Sequence, residues 1–298
     1  MRVYLNGEYL EQARAAVSVD DRGFLFGDGV YEVTRARNGR LFEAGRHLRR
    51  LERGLEALDI APPAGFEPGG GGGGGGGALV EIADRLLRDN GLMNGDALVY
   101  LQITRGAAER THHFPPAGTP PTVFLRTNRL AAPDDVRERG ATVITTPDLR
   151  WERCDLKTVQ LLPNVLAKQQ AVAAGAFEAV FVRAGIVTEG ASTNVFVVID
   201  GAIHTHPVTE RILPGITREI VLELAAERGL RVVEQAVPLE ELRGASELFL
   251  TSTSTEVMPV ARLDGGAVGS GRPGPVARQL HAALRERLER DATRAPAV

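Results

Sequence analysis

The stretch VYEVTRARNGRLFEAGRHLRRLERGLEALDI, residues 30–60, changes its hydrophobic period once. VYEVTRAR and RLFEA read as two strands joined by Asn38-Gly39, a pair that tolerates the positive φ angles of a type I′ hairpin turn. From His47 the pattern is helical. Leu48, Leu51, Leu55 and Leu58 recur at three and four residues and form one buried stripe, leaving the arginines mostly outward.

Downstream of that helix, residues 69–77 are nine consecutive glycines. Each would cost a helix about 1 kcal/mol relative to alanine. The tract therefore reads as a flexible connector spanning about 17 Å root-mean-square, leading to the helical ALVEIADRLLRDNGL. It does not read as a phosphate loop, because no Lys-Ser/Thr follows. Strands over 97–105 and 122–128 complete a first domain, and the polar, proline-containing LAAPDD places the boundary near residue 130. The domains are thus 1–129 and 130–298.

In the second domain ATVITTPD, FEAVFVRAG, TNVFVVID with its Asp200-Gly201 turn, AIHTH, RVVEQA and ELFLTS are short strands. Three helices, roughly 161–174, 215–229 and 274–291, interrupt them; the last shows Val276, Leu280, Ala283, Leu284 and Leu288 at helical spacing. Mostly antiparallel strands with a few helices imply an α+β or barrel-like domain.

With 298 residues, 43% of them hydrophobic, the chain can bury a sizeable core. Its net charge of -3, with both signs interleaved, argues against nucleic-acid and anionic-membrane partners and favours small-molecule chemistry. The single cysteine, Cys154, cannot form an internal disulfide, and no Cys/His cluster has metal-ligand spacing. No apolar run approaches the roughly 18 residues of a membrane span, so a cytoplasmic protein without a metal is expected.

Among 35 Lys plus Arg residues the only lysines, Lys157 and Lys168, share the segment CDLKTVQLLPNVLAKQQA, residues 154–171. Lys157 sits at a strand-to-helix junction, where an amine can be partly desolvated and become nucleophilic towards carbonyls; a guanidinium cannot form an imine. Lys168, inside the helix, reads as structural. Three further segments supply complementary parts. TEGASTNVF (188–196) offers Glu189 as a carboxylate that could hold a proton on a heterocyclic nitrogen or cap a turn. LPGITREI (213–220) opens a helix whose first amides, at Ile216 and Thr217, suit a phosphate. TSTSTEV (251–257) supplies hydroxyls for the same anion or for an N-cap. Together a lysine, an acid, a helix-start anion site and clustered hydroxyls are what a pyridoxal phosphate site requires.

FGDGVYEV, HLRRL, ITRG, LKTVQLLPNVLAKQ, VTEGASTNVF, ILPGITR and TSTSTEVMPV stand in the order found in class IV aminotransferases. The chain resembles that family over about residues 1 to 285; its members include D-amino acid, branched-chain and (R)-amine transaminases and aminodeoxychorismate lyase. The resemblance implies a small N-terminal α/β domain and a larger C-terminal pseudo-barrel domain with pyridoxal 5'-phosphate between them. It makes Lys157 the aldimine lysine and the general base and acid, and it sets Glu189 against the pyridine nitrogen. Arg50, rather than its neighbour Arg49, would grip the phosphate with the Ile216 and Thr217 amides and the Thr253 hydroxyl, and Leu213 would back the ring.

Within RGAAERTHHFPP (105–116), Arg110-Thr111-His112 is similar to the loop that bacterial D-amino acid transaminases insert into the neighbouring subunit. With Tyr31 it would trap the substrate carboxylate. Branched-chain enzymes usually show Phe-Glu-Gly where this chain reads Tyr31-Glu32-Val33. The resemblance therefore implies a homodimer that transaminates D-amino acids, D-alanine with 2-oxoglutarate, in ping-pong fashion. The alternatives are aminodeoxychorismate lyase, an (R)-amine or branched-chain transaminase, and a catalytically silent cofactor-binding protein. Two departures from the family pattern are Ala191, where many relatives have serine, and the glycine tract.

Overall fold

The computed structural model describes residues 1–63, 65–66 and 77–293. The glycine connector, apart from Gly77, lies outside the described residues. The chain divides into two compact units, one built mainly of Met1–Ala131 with Leu156–Gln160, the other of Ala132–Asp155 with Leu161–Arg290.

The first unit contains strands β1 (Arg2–Leu5), β2 (Glu8–Glu11), β3 (Gly29–Arg37), β4 (Arg40–Leu41), β5 (Asp96–Thr104) and β6 (Thr122–Arg129), with helices α1 (Arg22–Phe26), α2 (Ala44–Ala57) and α3 (Gly77–Asp89). The strands form one sheet in the order β2-β1-β6-β5-β3-β4, antiparallel at every pairing. Asn38 (φ 50°) and Gly39 (φ 77°) both adopt positive φ, as a type I′ hairpin requires. In α2 the stripe is as read, with Leu51 and Leu55 buried and Leu48 and Leu58 packed at the margin of the same core. The outward expectation for its arginines fails at Arg50, which is buried while Arg49 is exposed. Arg50 is drawn inward by a carboxylate on β3, a long-range pairing that helical periodicity cannot register.

The second unit contains α4 (Asp134–Arg139), β7 (Ala141–Pro147), α5 (Leu162–Ala173), β8 (Glu178–Arg183), β9 (Ile186–Gly190), β10 (Asn194–Ile199), β11 (Ala202–Thr205), α6 (Ile216–Glu227), β12 (Val232–Glu234), α7 (Leu239–Arg243), β13 (Glu247–Ser252), β14 (Glu256–Leu263), β15 (Gly266–Ala267) and α8 (Pro275–Thr293). One sheet runs β12-β11-β10-β13-β14-β7-β8-β9, with β15 on β14. It is mixed: β14–β7, β7–β8 and β11–β12 are parallel, the remaining pairs antiparallel. β9 ends one edge of that order, yet a short turn closed by the Gly190 amide on the Thr193 carbonyl (2.7 Å) returns it to β10 near the other edge. Joining distant positions by so short a link forces the sheet to curl, which accounts for the barrel-like character read from the sequence. Val180, Val195, Leu248, Leu250, Met258 and Val260 fill its core. On α8, Leu280, Ala283, Leu284 and Leu288 are buried as their spacing predicts, while the buried residue of the first turn is Ala277 rather than Val276. Among the described residues no helix is long and apolar enough to cross a membrane.

Candidate active site

In the first unit, Lys157 is placed by backbone pairing with β3. The Tyr31 amide donates to the Lys157 carbonyl (3.0 Å), the Val159 amide donates to the Gly29 carbonyl (3.0 Å), and Val30 bridges Thr158. The Lys157 amine is half-buried and lies 4.3 Å from the centroid of the Tyr31 ring. A cation over an aromatic face is attracted by the ring quadrupole. Tyr31 stacks on Tyr100 with centroids 5.7 Å apart. Burial, reinforced by Tyr31, pushes the Tyr100 hydroxyl up to about 12.

Side chains alternate along β3, so Glu32 leaves from the face opposite Tyr31 and is buried. Its Oε1 accepts from Arg50 Nε (2.7 Å), and its Oε2 accepts from Arg50 Nη2 (2.8 Å) and pairs with His47 Nδ1 (2.7 Å). Burial opposes ionisation of Glu32, but Arg50 and then His47 outweigh it and hold the carboxyl well below its usual range. Burial lowers His47, and the Arg50 and Lys157 charges lower it further against the pull of Glu32. A neutral ring with its proton on Nδ1 satisfies these contacts. Glu32 stands in FGDGVYEV and His47 in HLRRL, but nothing in their spacing marks them as partners of Arg50.

Arg110 and His112 lie on the exposed loop after β5, and both gather at Phe26. The Arg110 guanidinium is 5.0 Å from that ring's centroid, and the His112 ring meets it edge-on at 5.9 Å. Tyr31 meets Tyr100 and Lys157 instead.

In the second unit Glu189, on β9, is buried and accepts three hydrogen bonds. Oε1 accepts from Arg150 Nη1; Oε2 accepts from Asn194 Nδ2 (3.0 Å) and from the Leu213 amide (3.0 Å). Burial pushes its carboxyl up to about 7 even against the Arg150 guanidinium and the Leu213 amide. Arg150 is itself held in a two-pronged grip by Asp148, Nε to Oδ1 and Nη2 to Oδ2, both 2.9 Å. Asp148 also takes the Thr188 hydroxyl (3.0 Å) and pairs with Arg183 (3.2 Å). The sequence reading missed Arg150 and Asp148, which brace the Glu189 carboxylate; PDLRW carries no pattern that separates a buried fork from an ordinary loop.

Asn194 ties the rest of this unit's site together, its Nδ2 also donating to the Leu213 carbonyl (2.9 Å). Gly215 follows, and a Cβ there would stand 2.0 Å from Asn194 Oδ1, so no other residue fits without moving Asn194. Gly215 is the N-cap of α6, which has no side-chain cap, so the Ile216 and Thr217 amides are offered to an anion. At the end of β13, Ser252 bonds Ser254, Thr255 and the Thr255 amide, leaving the half-buried Thr253 hydroxyl outside that turn's network. An uncapped helix start, a position where a Cβ would clash, and a hydroxyl spared from local bonding are a donor set that fits a phosphate group. Among the described residues no Cys/His/Asp/Glu group could hold a metal ion.

Lys168 has a different task. Its amine donates to the Phe177 carbonyl and pairs with the buried Glu178 (3.4 Å). Glu178 in turn takes the Ser192 amide (3.2 Å) and hydroxyl (2.6 Å), which pins the turn after Glu189. Ala191 is buried, and its carbonyl accepts from Asn164 (2.9 Å).

The family profile described as Amino-transferase class IV matches residues 29–263. The chain is 44% identical over 288 residues to a D-alanine aminotransferase of Bacillus licheniformis, covering 97% of each, and 42% identical over 279 residues to one of Staphylococcus epidermidis, covering 94% and 95%. Its fold is similar to that of the branched-chain amino acid aminotransferase of Escherichia coli (TM-score 0.84, 27% identity, 96% and 93% covered). It is also similar to the T.th. branched-chain enzyme complexed with N-(5'-phosphopyridoxyl)-L-glutamate (TM-score 0.82, 28% identity, 99% and 95% covered). With a family match across most of its length, the chain belongs to the class IV aminotransferases.

Proposed function

We propose that the protein transaminates D-amino acids with pyridoxal 5'-phosphate, taking D-alanine as donor and 2-oxoglutarate as acceptor in ping-pong order. The observation that carries this reading is the near full-length, 44% identity to a D-alanine aminotransferase in a chain whose two lysines have separate tasks. Lys168 is tied to a carbonyl and a carboxylate, and Lys157 holds its amine over Tyr31.

When bound, the cofactor supplies an electrophilic carbon and a ring that accepts electrons. Lys157 would move the proton from the substrate α-carbon to the cofactor's electrophilic carbon, and would carry a proton the opposite way in the second half-reaction. Glu189 holds a proton at the ring nitrogen, kept in one orientation by Arg150, Asn194 and the Leu213 amide. Arg50, oriented by Glu32, grips the phosphate with the Ile216 and Thr217 amides and the Thr253 hydroxyl. Leu213 backs the ring. Arg110, His112 and Tyr31 bind the substrate carboxylate, and its placement decides which α-hydrogen faces the Lys157 amine. The chain works as a cytoplasmic homodimer, the 105–116 loop of one copy serving the other.

The test is a single half-reaction without acceptor. D-alanine is expected to release about one equivalent of pyruvate per cofactor-loaded site, and L-alanine none; equal release from both enantiomers would overturn the stereochemical assignment.

A further inference from the structure

The loop bearing Arg110 and His112 is exposed, yet it is tied to a buried charge centre made of Asp28, Arg22 and Arg105. Asp28 follows α1 and lies largely inside the protein. Its Oδ2 accepts from Arg22 Nε (2.9 Å) and Arg105 Nε (2.8 Å), its Oδ1 from Arg105 Nη2 (3.0 Å). Its carbonyl also accepts from the Arg105 amide (3.1 Å). One carboxylate thus fixes two buried guanidinium groups, and each holds the loop at a different point. Arg22 Nη1 donates to the Thr111 carbonyl (2.8 Å), between Arg110 and His112. Arg105 lies 3.7 Å from the centroid of the Phe114 ring, two residues past His112. Arg105 is itself braced by donation to the Asp59 and Leu58 carbonyls at the end of α2, both 2.6 Å. Arg22 also lies 4.8 Å from the Phe26 centroid, the ring on which Arg110 and His112 meet. α1 is anchored in turn by Asp21, which accepts from the Gly23 amide (2.8 Å) and the Thr104 hydroxyl (2.8 Å).

We infer that Asp28 is a positioning residue for donor recognition: through Arg22 and Arg105 it fixes the stretch between Thr111 and Phe114, and with it the residues that take the substrate carboxylate. This rests on the reading of Arg110 and His112 given above. Substrate selectivity then depends on a side chain that never touches substrate. A guanidinium fork needs a full carboxylate for its paired bonds, so a neutral isostere at position 28 leaves two buried cations short of their counter-charge.

The experiment uses the holoenzyme and its Asp28→Asn variant, with amide hydrogen exchange of the 106–116 peptide followed without substrate. Exchange in that peptide is expected to accelerate by about tenfold or more. The KM for D-alanine should rise about 10- to 100-fold with kcat within a few-fold, while an amine donor lacking a carboxylate keeps its KM. If Asp28→Asn does not fold, Arg22→Lys removes one arm alone and should quicken exchange around Thr111 but not at Phe114. Unchanged exchange in the variant that folds overturns the clamp. Faster exchange with the D-alanine KM unmoved overturns instead the assignment of Arg110 and His112 to the carboxylate, and the role in selectivity with it.

Discussion

Lys157 gives its backbone carbonyl to the amide of Tyr31 and holds its amine over the same residue's ring, 4.3 Å from the centroid. Backbone and side chain of one residue are thus referenced to a single neighbour on a sheet strand. The position of the amine depends on that strand rather than on a mobile surface.

Lys157→Ala is expected to abolish covalent retention of the cofactor after borohydride reduction and to lower turnover by at least about a thousandfold. Lys168→Ala should leave reduction-trapped cofactor in place and lose stability, because Glu178 is then buried with one partner fewer. Mass spectrometry of the reduced protein reads both.

His47 makes a prediction about acid. Its folded pKa lies below the unfolded value of 6.5, so its contribution to stability is present above that value and is lost as pH falls through it. His47→Gln keeps a donor towards Glu32 but cannot titrate. The difference in unfolding free energy between wild type and variant should therefore change by up to about 1.4 kcal/mol per pH unit below 6.5. A wild-type minus variant difference that stays flat in chemical denaturation between pH 7 and pH 5, roughly the same gap in midpoint at each pH, would remove His47 from this role.

Glu189 has the opposite sign. Its folded value of about 7 lies above the ordinary 4.5, so its contribution is present at low pH and is lost as pH rises through about 7. In the cofactor-free protein, Glu189→Gln should gain on wild type between pH 5 and pH 8 by about 1–3 kcal/mol. The same substitution should weaken the loaded enzyme at every pH, because an amide cannot hold the ring proton. Thermal unfolding of both forms checks the first statement, and single-turnover kinetics the second.

Gly215→Ala tests the turn before α6. Gly215 has φ -69°, a value alanine accepts, so the effect is steric alone: the new methyl would displace Asn194 and with it the bond to Glu189. Cofactor affinity is expected to fall about tenfold or more. Fluorescence titration of the apoprotein measures it, and an unchanged affinity would show that Asn194 can move aside freely.

What could be read in the sequence was local. Asn38-Gly39 announces its own positive φ angles, the leucines of α2 announce the face they bury, and Pro214-Gly215 announces a helix start. The charged groups behaved differently. Arg50 was placed by motif, yet its burial follows from Glu32, 18 positions away on another element. Arg150 was invisible because its partner Glu189 is separated from the Asp148–Arg150 pair by a helix, one strand and most of a second. Periodicity reports which face is apolar, whereas a buried fork depends on where two distant side chains meet.

The tether between Lys168 and the Phe177 carbonyl has a practical corollary for anyone attaching this enzyme to a support. Among the side chains of this sequence, reagents that acylate primary amines find these two lysines, one engaged in a structural bond and the other proposed for turnover. Coupling chemistry aimed at arginine or at surface carboxyls would spare both.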